Sequence, residues 1–70
     1  MEVDKKIKAL MLMTNTKQID IADKLGTTQA NVSRIIAKGN YMRIEEVLKL
    51  VETAGGTVEI SIVLPDGTKL

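Results

Sequence analysis

Seventy residues make one small domain, and a chain this short buries only about 60% of the surface its extended form exposes, so its core is thin. It has no cysteine and no histidine, which excludes disulfide staples and the usual zinc fingers. The net charge of +1 is unevenly spread: residues 5–43 carry eight basic side chains against two acids, residues 44–70 two against five. A basic front and an acidic back suit a module that meets phosphate with one side only.

In chain order, Val3, Ile7, Leu10 and Met11 fall at helical spacing, which predicts an amphipathic helix over Val3–Met13. Asp4 stands near its start, where negative charge complements the helix dipole. Thr14, Asn15 and Thr16 break it. Thr16 is the expected N-cap of a second helix, Lys17–Leu25, with Ile21, Ala22 and Leu25 facing inward. Gly26 closes that helix, and Thr27 or Thr28 caps a third over Gln29–Lys38, ended by Gly39. Asn40–Arg43 reads as a loop. A fourth helix, Ile44–Ala54, turns Ile44, Val47, Leu48, Val51 and Ala54 inward and leaves Leu50 off the stripe, in need of a separate partner. Gly55 and Gly56 stop it. Beyond them Val58, Ile60, Ile62 and Leu64 alternate with Thr57, Glu59, Ser61 and Val63, the pattern of a half-buried strand. Pro65-Asp66-Gly67 is a turn signal, and Thr68–Leu70 returns as a short second strand. Met11, Met13 and Met42 are expected to fill core gaps. Tyr41, the one aromatic residue, either packs over the loop or meets a phosphate.

On the third helix Val32, Ile35 and Ile36 share one face. Opposite lie Ala30, Arg34 and Ala37, flanked by Asn31, Ser33 and Lys38, with Gln29 at the N-terminal tip. Such a face is thin and polar enough to enter a groove about 12 Å wide, where arginine can bond guanine and glutamine or asparagine adenine. The opposite reading is an exposed helix that is polar because it faces water.

The stretch Gln18-Ile19-Asp20-Ile21-Ala22, then Leu25-Gly26-Thr27-Thr28-Gln29, then Val32-Ser33-Arg34-Ile35 resembles the Cro/C1-type (XRE-like) helix-turn-helix family. The likeness spans about residues 7–55. It implies a mainly α, lambda-repressor-like bundle of about four helices whose third helix enters the major groove. By position, Gln29, Ala30, Asn31 and Arg34 match the residues that face base edges. Gln18 matches a glutamine that bonds phosphate at the start of the second helix, and Lys17, Thr28, Ser33, Lys38, Asn40 and Arg43 are the further phosphate candidates. Ile36 stands where the family usually carries a glutamate. The segment after Gly55 is similar to a subgroup with a strand or hairpin beyond the last helix, whose members are often small repressors and some of them antitoxins.

Residues 1–56 are therefore expected to bind DNA, and the hairpin 57–70 to join two copies through Leu50, Val58, Ile60, Ile62 and Leu64. The expected function is a sequence-specific regulator of double-stranded DNA, a repressor acting as a homodimer on a pseudo-palindromic site. The alternative is an antitoxin that also holds a toxin protein. No cofactor or metal is expected. With Ser33 and Ser61 the only serines, the chain has no nucleophile–base set for an enzyme. No stretch approaches the ~18 apolar residues of a membrane span, and Ala9–Met13 is too short for a signal peptide's apolar region of about 7–15 residues. A soluble, cytoplasmic protein is the expectation.

Overall fold

The computed structural model describes residues 2–70, and they form four α-helices. The first, α1, spans Val3–Met13; α2 spans Gln18–Leu25; α3 spans Gln29–Ile36; α4 spans Ile44–Thr53, with a single 3-10 turn at Gly39–Tyr41 between the last two. Among the described residues no helix is long and apolar enough to cross a membrane.

Three of the four helices close in one way. A left-handed residue (Asn15, Gly26 or Gly55) follows the last turn, and the next N–H reaches five residues back, Thr16 to Met11, Thr27 to Ala22 and Gly56 to Val51. These bonds satisfy carbonyls that a helix end would otherwise leave orphaned, and they turn the chain sharply enough to stack short helices on each other. Gly26 carries φ +67 in the turn between α2 and α3, so an L side chain there would be strained.

α3 ends two residues before the predicted Lys38. After Ala37 bonds to Ser33, the N–H of Lys38 reaches only to Ile35, and Tyr41 and Met42 continue this tighter pattern. The predicted loop is thus partly a 3-10 turn. Thr16 does not cap α2. Lys17 holds that position, its N–H donating to the Asp20 carboxylate at 2.9 Å, while the Thr16 hydroxyl pairs with Thr14. α4 is started in the same one-sided way, with Arg43 N–H donating to the Glu46 carboxylate at 2.8 Å.

The core holds Ile7 and Met11 from α1, Ile21 and Ala22 from α2, Val32 and Ile36 from α3, and Leu50 of α4 with Ala54, its C-cap. Each helix, counted with its C-cap, supplies two residues that share a face, and no polar side chain is buried among them. Two inward expectations fail at helix ends, where there is nothing to pack against: Leu25 is 38% exposed and Met13 85%.

The larger correction concerns α4. Leu50, expected to face a second chain, is 1% exposed and lies in the chain's own core, while Ile44 is half in solvent. At 100° per residue the six apolar residues of this helix cover an arc of about 160°, so periodicity does not say which edge turns inward. Packing against α1 and α2 selects the edge of Val47, Leu50, Val51 and Ala54.

The predicted hairpin is also absent as a sheet. Residues 57–70 make a tight reversal in which Leu64 N–H bonds to Thr68 and Leu70 N–H to Ile62, with one bridge between Val63 and Lys69. Among the described residues no strand forms, and residues 57–61 have no backbone hydrogen bond. An isolated two-stranded ribbon is marginal in water, and no third strand is present to support it. The tail departs from the helical body at Gly56, where a Cβ would stand 2.8 Å from a Leu10 methyl and 3.1 Å from one of Val51. Its length shows in the radius of gyration of 13.5 Å, against about 11 Å for a compact chain of this size.

Candidate nucleic-acid interface

The turn after α2 packs α3 against α2 with Val32 and Ile36 fully inward. That orientation fixes the rest of the helix. Gln29, Ala30, Ser33, Arg34 and Ala37 are exposed, and Asn31 is half-buried. Thr28 is the N-cap, its hydroxyl accepting from Asn31 N–H at 3.1 Å. Beside it Thr28, Ala30, Asn31 and Arg34 line an open concavity of about 260 Å³, walled by a methyl group, a side-chain amide and a guanidinium. These groups offer donors, an acceptor and a small apolar contact side by side, which is what the edge of a base pair requires.

Of the base-facing candidates, Ala30, Asn31 and Arg34 therefore come together, while Gln29 is exposed at the tip of α3 and does not line the concavity. Of the phosphate candidates, Ser33 is exposed on α3, Thr28 is exposed at its cap, Lys17 is exposed at the start of α2 and Gln18 is half-buried beside it. The loop candidates are arranged differently. Lys38 forms an ion pair with Glu46 of α4 at 2.8 Å, and Asn40 accepts from Val3 N–H at 2.8 Å, satisfying an orphan donor at the start of α1. Both side chains thus hold the loop in place. Arg43 is exposed, and only its backbone is engaged, the N–H donating to Glu46 and the C=O accepting from Val47 N–H. Tyr41, 91% exposed, does not pack over the loop.

Two participants escape sequence reasoning. Thr27 accepts from the Asn31 amide at 3.0 Å, and Glu46 joins the loop to α4. The first carried a signal, since Thr27 and Asn31 stand one helical turn apart. The second did not, because the eight residues from Lys38 to Glu46 cross a turn whose path only the fold specifies.

The Lys38 ammonium, with the Arg43 N–H second, holds the Glu46 carboxyl below its ordinary value. A carboxyl lowered on folding adds stability above its unfolded pKa, which is lost as pH falls through the folded one. Acid titration of the wild-type chain is therefore expected to loosen the loop on the acid side of the ordinary glutamate range. Glu46→Ala should flatten this dependence; resonances of Gly39–Arg43 followed against pH would show it, and an unchanged profile would count against the pair.

The geometry defines a class: a small helical bundle that presents one helix by its polar face. No protein-family model, curated protein or solved structure matches the chain.

Proposed function

We propose that the chain is a sequence-specific binder of double-stranded DNA, a transcriptional regulator of repressor type, with α3 as the helix that enters the major groove. The observation that carries this reading is the division of α3. Its apolar side is sealed against α2, while the opposite side offers Arg34 between Ala30 and Ala37, which keep the surface low, with Ser33 beside them and Gln29 exposed at the tip. In a helix-turn-helix the first helix braces and the second reads, and the glycine turn with its threonine cap suits that division. Lys17, Arg43 and the α1 lysines supply attraction to phosphate, which implies binding that weakens steeply with salt. Selection from a randomised duplex pool tests the reading. A recovered consensus supports it, and equal recovery of all sequences at low and high salt rejects it.

One recognition helix covers few base pairs, so the reading includes a homodimer on a pseudo-palindromic site. The tail is the proposed contact. Ile60, Ile62 and Val63 are 65, 63 and 56% exposed and Leu64 38%, and residues 57–61 have backbone groups free to pair as a strand. Val58 is half-buried at the rim of an apolar cleft of about 740 Å³ between α1, α4 and the start of the tail. Ile62→Glu is expected to leave helix content unchanged and to give a monomer at micromolar concentration. Sedimentation of an undiminished dimer would remove the tail from the interface. The same exposed tail and cleft favour, as the second reading, an antitoxin that also holds a toxin protein. A stoichiometric basic partner that copurifies and is lost in Ile62→Glu separates the two.

A further inference from the structure

Both ends of the Asn31 amide are engaged inside the protein. Its Oδ1 accepts from Arg34 Nη2, and its Nδ2 donates to Thr27 Oγ1 at 3.0 Å. The orientation is dictated by chemistry, because a guanidinium has only donors and so faces the amide oxygen. The Asn31 backbone is fixed as well, its N–H bonded to the Thr28 hydroxyl. A chain of contacts thus runs from the turn, through Asn31, to the tip of Arg34.

We propose that Asn31 is a positioning residue, not a base reader: it sets the plane and direction of the Arg34 guanidinium for a single base edge, and Thr27 sets Asn31. The proposal rests on the DNA-reading role of α3. Bidentate recognition of guanine uses two of the five N–H donors of arginine, so the bond to Asn31 leaves enough for it. An exposed arginine otherwise samples many rotamers, and ordering it on binding lowers affinity. An arginine already held by Asn31 avoids most of that loss and discriminates more sharply, since a guanidinium fixed in one plane cannot follow a misplaced acceptor.

The test is selection from a randomised duplex pool by the wild-type chain and by Arg34→Ala, Asn31→Ala, Asn31→Asp and Thr27→Val. Arg34→Ala identifies the base pair at which guanine preference is lost. Asn31→Ala is expected to lower discrimination at that same base pair about 3- to 10-fold, leaving the other positions as they were. Its backbone N–H still bonds Thr28 and alanine suits a helix, so circular dichroism should show full helix content. Asn31→Asp keeps an acceptor for Arg34 and should retain the guanine preference while binding every sequence more weakly. Thr27→Val should act like a milder Asn31→Ala; full preference there overturns the part assigned to the turn. Lost preference at a different base pair in Asn31→Ala makes Asn31 a reader and overturns the proposal, as does guanine preference left intact. A wild-type chain that selects no sequence removes the DNA-reading role itself, and the proposal with it.

Discussion

Leu50→Ala is expected to destabilise the isolated chain by about 2–5 kcal/mol, the range for removing a buried leucine side chain from a packed core. Leu50 is 1% exposed and sits in the same cluster as Ile7, Met11, Ile21, Val32 and Ile36, so the cavity would open at the meeting point of the helices. A chain of 70 residues has a total stability of roughly 4–10 kcal/mol, so the loss is at least about a fifth of it. Urea unfolding followed by circular dichroism, at protein concentrations low enough to leave association aside, should show a lower midpoint with an unchanged slope. A midpoint equal to that of the wild type would mean that Leu50 faces outward, as the helical stripe alone implied. The result therefore decides between two faces of α4 as well as measuring a core contact.

Arg34→Ala is expected to lower affinity for the selected duplex by about 1–3 kcal/mol and to relax preference at one base pair. Its stability effect should be small, because the side chain is exposed and bonds only to Asn31. Comparison with Arg43→Ala gives the control. Arg43 is exposed beyond α3, on the loop held by Lys38–Glu46 and Asn40–Val3, and in the proposed role it meets phosphate. Its loss should weaken all sequences about equally and reduce the salt slope by about 1. If the two substitutions give the same uniform weakening, α3 supplies charge and no readout.

The local features of this protein are written in short windows. α1 runs over the predicted Val3–Met13 because periodicity, Asp4 and the Thr14-Asn15-Thr16 break act within one or two turns. The Gly26 turn and a threonine cap on α3 follow from single residues whose conformational preferences hold in any context, and the fold chose Thr28 over Thr27. The apolar face of α3 was legible for the same reason, and with it the exposed ridge that carries Ala30 and Arg34. The caps of α2 and α4 were not, because Asp20 and Glu46 reach back to a backbone N–H whatever residue occupies the cap itself.

What the sequence by itself determined is thus the set of helices, the bounds of α1, the Gly26 turn and the polar face of α3, all products of hydrogen bonds and preferences spanning a few residues. The tertiary structure alone decided which edge of α4 turns inward, because an apolar arc of about 160° permits several choices and neighbouring helices select one. It also decided that Lys38 and Asn40 hold the loop, since their partners Glu46 and Val3 are brought to them only by folding. The tail shows the complementary case. Its alternating residues favour a strand, yet a strand exists only where another chain segment accepts its backbone, and the folded chain supplies one bridge.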